Sequence, residues 1–177
     1  MSAAMSILGV MRESGLRPNV RTYTTLIQGW IELKKMDRAM DLFKKMKRNK
    51  RVRPDVVTYN LLISGWTRQM KNMNKAEKVM QDLMNDRNVS PDERTFGALI
   101  NGYNFLFQED RNWRAKRMYY WLCRMRDMKF KPNQHTAKPF TKMKLHFPDH
   151  NEPFWKNYGV PYDPRRDCSS RRRDRYR

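Results

Sequence analysis

The sequence contains few of the residues that disulfide frameworks and most metal sites require. Its 177 residues include two cysteines and three histidines. Cys123 and Cys168 lie far apart in the chain, and Pro148 separates His146 from His150, so these two histidines do not share one helical face. We therefore expect no disulfide framework, no metal site and no cofactor, and we expect a reducing compartment.

Catalytic motifs and membrane-spanning segments are missing as well. The longest apolar runs are a few residues, such as residues 61–63, whereas a membrane-spanning helix needs about 20. The sequence holds no glycine-rich phosphate loop and no nucleophile motif. These absences favour a binding protein over an enzyme, and they argue against a membrane as a partner.

Acidic residues are also scarce relative to basic ones. The chain has 38 lysines and arginines against 18 aspartates and glutamates, a net charge of +20. The segment before residue 143 holds 29 of the basic and 13 of the acidic residues, a net charge of +16, so the excess is not confined to the tail. Lysine and arginine on helices usually form a solvated face, but an excess of this size favours an anionic partner such as nucleic acid.

What the sequence does contain is a phrase that recurs four times. A proline is followed by Asn or Asp, and three residues later by Thr, after spacings of 36, 37 and 41 residues. The four dipeptides are Pro18-Asn19, Pro54-Asp55, Pro91-Asp92 and Pro132-Asn133. A period of this length is typical of stacked units, none of which can bury its apolar face alone.

Apolar residues follow each of the first three phrases at i, i+3, i+4 and i+7, the spacing of one helical face. The sets are Tyr23, Leu26, Ile27, Trp30; Tyr59, Leu62, Ile63, Trp66; and Phe96, Leu99, Ile100, Tyr103. A second helical set follows each of these: Ala39, Leu42, Phe43, Met46; Ala76, Val79, Met80, Leu83; and Ala115, Met118, Tyr119, Leu122. The pattern predicts an all-α fold, an α-solenoid of stacked helix-turn-helix repeats with about three full repeats plus half repeats.

The organisation of the whole chain follows from this pattern. Ala4, Ile7, Leu8 and Met11 have the spacing of a second helix, so the chain is expected to open inside a repeat. We place the repeat solenoid at residues 1–142, since Pro139 is expected to interrupt a further first helix. Residues 143–177 are predicted to form an irregular, basic C-terminal arm, partly disordered, whose aromatic residues cover the open end of the stack.

Several fixed positions have structural explanations. The residue after each recurring proline is expected to cap the next first helix. The polar breaks between first and second helices contain residues that favour N-caps: Asp37, Asn72, Asn74 and Asn112. Gly29, Gly65 and Gly102 precede the last aromatic of each first helix, where the lack of a side chain is expected to let a neighbouring helix approach closely.

Residues 57–65, Val-Thr-Tyr-Asn-x-Leu-Ile-x-Gly, together with the later Ala and Met of the second helix and the Pro-Asp phrase, carry a family resemblance. This pattern resembles the pentatricopeptide repeat, the helix-turn-helix unit of organellar RNA-binding solenoids, over about residues 1–138. Tetratricopeptide repeats have a similar architecture, but their Trp-x-x-Leu-Gly-x-x-Tyr spacing is missing here. The resemblance implies a solenoid that binds RNA without cofactors.

The resemblance also implies which side chains read bases. In this family each repeat presents one base to a residue early in its first helix and to the last residue of the repeat, while a third side chain stacks on the base. The implied base-reading pairs are Thr24 with Asp55, Asn60 with Asp92, and Gly97 with Asn133; the implied stacking residues are Arg21, Val57 and Arg94. Thr with Asp resembles a guanine reader and Asn with Asp a uracil reader, whereas Gly97 departs from the pattern because it offers no polar group.

A purely structural interpretation of the same residues stays open at this point. Asp55 and Asp92 serve equally well as helix caps, and Thr24 and Asn60 could be solvated positions. Their joint occurrence at matched places in successive units is what favours base reading.

Charge placement indicates a second kind of contact. The cations near the end of the first repeat's second helix are explained by the helix dipole: Lys44, Lys45, Lys47, Arg48, Lys50, Arg51 and Arg53. The helix dipole does not explain the cations at the start of the third repeat's second helix. These cations and the arginines of the tail are predicted to bind phosphates or an acidic partner: Arg114, Lys116, Arg117, Arg171, Arg172 and Arg173.

Three functional hypotheses result. The first is an organellar RNA-binding adaptor that holds single-stranded RNA in the concave groove and supports RNA processing, stability or translation. The alternative is a structural subunit of a mitochondrial or plastid ribosome, or of another ribonucleoprotein, that docks on folded RNA and other proteins. A protein-binding scaffold is the third. The resemblance implies location in the mitochondrion, with the plastid as the alternative.

Overall fold

The computed structural model describes residues 3–49, 51–106, 110–131, 133–143 and 145. Helices account for all the regular secondary structure in these ranges. The α-helices are α1 (Ala3–Glu13), α2 (Val20–Glu32), α3 (Met36–Arg48), α4 (Val56–Ser64), α5 (Met73–Met84), α6 (Glu93–Gly102), α7 (Arg111–Asp127) and α8 (Gln134–Lys142).

The helices pair as the sequence predicts. The first helix of each repeat packs against the second, α2 against α3, α4 against α5 and α6 against α7. Successive first helices also pack on each other, α2 on α4 and α6 on α8. The chain divides into two compact units, one that ends at Pro91 and one that begins at Asp92. The predicted all-α repeat fold is confirmed.

The predicted apolar faces form the core of each unit. In the first unit Ile27, Leu62 and Ile63 of the first helices are fully buried, and so are Met46 and Leu83 of the second helices. The ring of Phe43 on α3 meets that of Tyr59 on α4 edge-on, at 5.1 Å between centroids. Because burial of an apolar side chain contributes about 1.5–3 kcal/mol, these faces hold the hairpins together.

The expected helix caps are partly correct. Asn72 caps α5, where its side chain accepts a hydrogen bond from the Lys75 N–H at 3.0 Å. The N-cap position before α3 is Lys35, whose side chain makes no capping hydrogen bond, and Asp37 lies inside the first turn, so the prediction for Asp37 is wrong. Asp110, rather than Asn112, caps α7 by accepting from the Trp113 N–H at 2.9 Å. Asn74 lies inside α5.

Pro139 does not interrupt the last described helix, contrary to expectation. Helix α8 runs through it to Lys142. Phe140, the next residue, is fully buried and its ring lies 5.1 Å from that of Tyr119. Tertiary packing of this kind compensates for the backbone hydrogen bond that proline removes. Of the predicted arm, residues 143–177, all but Met143 and Leu145 lie outside the described residues.

A buried tyrosine ties α4 to the end of its partner helix. The Tyr59 hydroxyl donates to Asp86 Oδ2 at 3.0 Å, and the ring is fully buried. Burial alone would raise the pKa of Asp86, but hydrogen bonds from the Asn88 backbone and from Tyr59, with the nearby charge of Lys47, hold this pKa below its ordinary value. Burial and the hydrogen bond to Asp86 raise the pKa of Tyr59.

Tyr59→Phe is therefore expected to lower the free energy of unfolding by about 1 kcal/mol at neutral pH, since it removes one hydrogen bond to a partly exposed carboxylate. Because the folded pKa of Asp86 lies below its unfolded pKa, the stabilisation is present above about pH 4 and is lost as the pH falls through the folded pKa. Urea denaturation of both proteins from neutral pH to about pH 3 checks this. Parallel curves with a constant offset over that range would contradict the role of Asp86.

Candidate nucleic-acid interface

The residue after each recurring proline caps the first helix that follows it. Its side-chain oxygen accepts a hydrogen bond from the backbone N–H of the threonine three residues later. The pairs are Asn19 with Thr22 at 2.9 Å, Asp55 with Thr58 at 2.8 Å, Asp92 with Thr95 at 2.8 Å and Asn133 with Thr136 at 3.2 Å. The structural interpretation of Asp55 and Asp92 as caps is confirmed.

The threonine of the phrase has a role that the sequence analysis missed. The hydroxyls of Thr58 and Thr95 donate to Oδ1 of Asp55 and Asp92, at 2.7 and 2.8 Å. Both threonines are fully buried. A buried hydroxyl needs a partner, and the carboxylate supplies one while the hydroxyl fixes its position. The recurrence of threonine in all four phrases was the signal available in the sequence.

Thr24 and Asp55, the first predicted base-reading pair, both contact Thr58. The hydroxyl oxygens of Thr24 and Thr58 lie 3.1 Å apart, and the Thr24 hydroxyl also reaches the Val20 carbonyl at 2.8 Å. Thr24 and Thr58 each have one hydroxyl hydrogen, and three contacts share these two hydrogens. The contacts join Thr24 to Val20, Thr24 to Thr58, and Thr58 to Asp55. When the Thr58 hydroxyl donates to Asp55, the Thr24 hydroxyl can donate either to the Val20 carbonyl or to the Thr58 oxygen. In both cases the Thr24 oxygen keeps a lone pair with which it can accept a hydrogen bond.

Asp55 uses only one of its two oxygens in this network. Both hydrogen bonds from Thr58 end on Oδ1, and within the described part of the chain Oδ2 has no hydrogen-bond partner. The residue is half-buried. Capping and base reading are therefore compatible, because the cap occupies one oxygen and leaves the other as an acceptor.

The predicted stacking residues are exposed. Val57, the second residue of α4, is an apolar side chain with 53% of its surface exposed. Arg21 on α2 and Arg94 on α6 are exposed as well. An apolar side chain or a guanidinium plane at such a position offers a surface on which a base can stack.

The other two predicted pairs differ from the first. Asn60 is half-buried on α4 in the first unit, and Asp92 caps α6 in the second. Gly97 and Asn133 belong to the second unit, where a Cβ built on Gly97 would lie 3.9 Å from Thr136 Cγ2. Gly97 thus occupies the place next to a capping threonine that Thr24 occupies in α2, but it brings no polar group.

The predicted phosphate-binding cluster at the start of α7 divides into different environments. The Arg117 guanidinium lies over the Tyr120 ring at 4.9 Å, which is a structural contact. Arg114 is half-buried, and within the described residues its Nε has no hydrogen-bond partner. Lys116 is exposed. Arg171, Arg172 and Arg173 lie outside the described residues.

Metal-binding clusters and membrane-spanning helices are absent from the part of the chain that the structure describes. No set of three His, Cys, Asp or Glu side chains in that part of the chain is arranged to hold a metal ion. None of its helices combines the length and the apolar character that a membrane crossing needs.

Comparisons with known structures agree with the repeat fold. The chain superposes on the maize pentatricopeptide repeat protein PPR10 with a TM-score of 0.67 and 22% identity, covering 80% of this chain and 19% of that one. It superposes on the PPR domain of Arabidopsis thaliana protein-only RNase P 1, solved in complex with tRNA, with a TM-score of 0.61 and 22% identity, covering 81% and 69%. The chain thus spans about a fifth of the PPR10 chain that it matches.

The sequence itself matches one family model. The model of the PPR repeat family matches residues 18–68 and again residues 54–104, which include α2 to α6. No curated protein matches the chain at a significant level. With the repeated phrase, the paired helices and these matches, the chain belongs to the pentatricopeptide repeat family.

Proposed function

We propose that this chain is an RNA-binding adaptor that holds single-stranded RNA along its first helices and reads one base in each of its first two repeats. The observation that carries the proposal is the network of Thr24, Thr58 and Asp55, which fixes two acceptor oxygens at a half-buried position beside the exposed Val57. A PPR10 structure that this chain matches at 22% identity contains an 18-nt RNA element, which supports the same class of ligand here.

The network favours guanine as the base at the first reader. Asp55 Oδ2 and the Thr24 oxygen are both acceptors in the arrangement described above. The Watson–Crick edge of guanine carries two adjacent donors, N1–H and N2–H₂, whereas adenine and uracil each place an acceptor beside a donor. A base that presents two donors to two acceptors leaves no polar group unpaired, and unpaired groups are what cost affinity.

The second reader favours uracil. The Asn60 side chain is an amide, which both donates and accepts, and uracil presents N3–H between two carbonyl oxygens. Val57 and Arg94 are the proposed stacking surfaces beside the readers, with Arg21 in the first repeat. The third pair, Gly97 with Asn133, reads no base well because glycine offers neither a donor nor an acceptor.

The proposed affinity is modest. Base stacking contributes about 1–3 kcal/mol per base, so two or three bases supply on the order of 3–9 kcal/mol before ordering costs. This corresponds to micromolar binding at best. We therefore propose that further contacts, with more RNA or with other proteins of a ribonucleoprotein complex, supply the remaining affinity and specificity.

The cellular role is proposed from the family resemblance. We assign binding rather than catalysis to these repeats, in support of RNA processing, stability or translation. The proposed location is the mitochondrion, with the plastid as the alternative. The excess of positive charge supports an RNA partner, because phosphate neutralisation releases counterions.

Asp55→Asn tests the reader without removing the cap. Asn19 already caps α2 through its Oδ1, so an asparagine at position 55 keeps the bond to the Thr58 N–H. The substitution replaces Oδ2 by an NH₂ group that faces the donors of guanine. We expect the preference for guanine over adenine, measured as a ratio of Kd values for short RNAs that differ at one base, to fall about tenfold, with a loss of stability under about 0.5 kcal/mol.

Asn72→Ala is the matched control. It removes the cap of α5 and is expected to cost about 1 kcal/mol of stability while it leaves the guanine preference intact. An unchanged preference in the Asp55→Asn protein would refute base reading at this pair. A wild-type protein with no base preference at all would do the same.

A further inference from the structure

A basic pocket lies on α3, apart from the proposed base readers. A surface cavity of about 340 Å³ opens there over the buried Trp30 and Leu42. Four cations line it, Arg38, Lys44, Lys45 and Arg48, together with one acid, Asp41. All five charged side chains are exposed, so the lining carries a net charge of +3 in contact with solvent.

Within the part of the chain that the structure describes, no ion pair neutralises these charges. Asp41 stands three residues after Arg38 and four before Lys45, spacings at which helical ion pairs form. Yet Asp41 forms an ion pair with neither Arg38 nor Lys45. Within the described residues, the side chains of the four cations and of Asp41 have no ion-pair or hydrogen-bond partner. By contrast, Lys47 on the same helix does find an acid, Asp82, at 3.8 Å.

The helix dipole explains only part of the cluster. Lys45 and Arg48 lie in the last turn of α3, where cations are favoured. Arg38 lies in the first turn, where a cation is disfavoured, and Lys44 lies between the two ends. Helical periodicity places Arg38, Lys45 and Arg48 on one stripe of α3, at i, i+7 and i+10. Their convergence on one cavity is therefore not a consequence of helix stability.

We propose that this pocket binds one ribose-phosphate unit of an RNA strand. The two arginines supply planar donor forks that match phosphate oxygens, and the lysines add point charges. Asp41 would repel a phosphate placed beside it, but it can accept a hydrogen bond from a ribose 2′-OH, the group that distinguishes RNA from DNA. The cavity volume of about 340 Å³ also lies at the lower end of the range found for small-ligand sites.

The first test is Arg38→Gln combined with Lys45→Gln in the full chain. Fluorescence anisotropy with a short oligouridine, at several salt concentrations between about 50 and 200 mM, gives the affinity and its salt dependence. We expect about a tenfold loss of affinity and a decrease of about 1 in the slope of log K against log salt. Lys78→Gln with Arg87→Gln is the matched control, since both side chains are exposed, carry the same charge and lie outside the pocket.

Equal losses in the two double variants would overturn the pocket, because charge alone would then explain the effect. The guanine preference and the salt slope test the base-reading proposal and the pocket independently. The pocket variant is expected to keep its guanine preference, whereas Asp55→Asn is expected to lose that preference and keep the salt slope. Each proposal can thus fail without the other.

The second test is Asp41→Ala with RNA and DNA strands of the same bases. The ratio of RNA to DNA affinity is expected to fall about tenfold, because alanine has no oxygen to accept the hydrogen bond from the 2′-OH, while the loss of the negative charge acts on both strands alike. An unchanged ratio would overturn the role of Asp41. Uridine 5′-monophosphate carries the same groups as one unit of the strand, and competition by it at the strand's own concentration would assign the pocket to free nucleotides and refute the RNA proposal.

Discussion

Gly65→Val is expected to lower the free energy of unfolding by about 2–3 kcal/mol, since a side chain at this position has no room. A Cβ built on Gly65 would lie 2.9 Å from Met36 Sδ and 3.0 Å from Ile31 Cγ2. Both neighbours are buried, and Ile31 is β-branched and therefore stiff at χ1. The thioether of Met36 can move, but the methyl of Ile31 cannot move without disturbing the packing of α2.

Gly29→Ala is the matched comparison, at the equivalent position one repeat earlier. A Cβ on Gly29 would meet no atom within 4 Å, and the residue lies inside α2. Alanine has a helix propensity about 1 kcal/mol better than glycine, so this substitution is expected to stabilise the protein by up to about that amount.

Urea denaturation of the two variants and the wild type measures both effects. Changes of the same sign and size in the two variants would show that the equivalent glycines have one role, against the structure. A Gly65→Val protein as stable as the wild type would show that Met36 and Ile31 yield at little cost.

Gly29 and Gly65 show that a repeat pattern does not predict the contacts of individual equivalent residues. The repeated phrase predicted close helix approach at Gly29 and Gly65 alike. The structure confirms it at Gly65, where the chain continues from α4 into a π-helical turn, Gly65–Gln69, and it contradicts it at Gly29. A repeat pattern assigns one average environment to equivalent positions, whereas contacts depend on which side chains the neighbouring helix happens to bring.

The presence of each helix and the face that it buries were predictable, because they depend on many residues and not on one contact. Each buried face contains several residues at helical spacing, such as Leu62 and Ile63 on α4, so one irregular position does not alter the pattern. Helix boundaries were less so. Lys35 occupies the N-cap position of α3 and Pro139 lies inside α8, because tertiary packing outweighs a local preference of about 1–3 kcal/mol.

The candidate site was predictable in its positions and not in its connections. The phrase and the resemblance placed Thr24 and Asp55 as a pair, and the structure brings both to Thr58. Nothing in the spacing indicated that a buried threonine would join them. Hydrogen bonds between successive repeats depend on the offset between α2 and α4, which the sequence period does not specify.

Thr58→Val is expected to break this connection and to alter both stability and base preference. Valine keeps the shape of the buried side chain but removes the hydroxyl that donates to Asp55 at 2.7 Å. Loss of a hydrogen bond to a charged group in a buried position costs about 2 kcal/mol. Asp55 keeps the bond from the backbone N–H, so α4 still begins at the same place, but its carboxylate is free to rotate and Thr24 loses a partner.

Thr95→Val is the matched variant in α6. Its hydroxyl makes the same bond to Asp92, at 2.8 Å, and it is equally buried, so the loss of stability is expected to be similar. The base preference is expected to separate the two variants: guanine selectivity falls in the Thr58→Val protein and is kept in the Thr95→Val protein. Thermal denaturation with paired RNA titrations measures both effects. If the two variants lose stability equally and the Thr58→Val protein keeps its guanine selectivity, Thr58 serves only the cap, and the oxygens of Asp55 are not positioned for RNA.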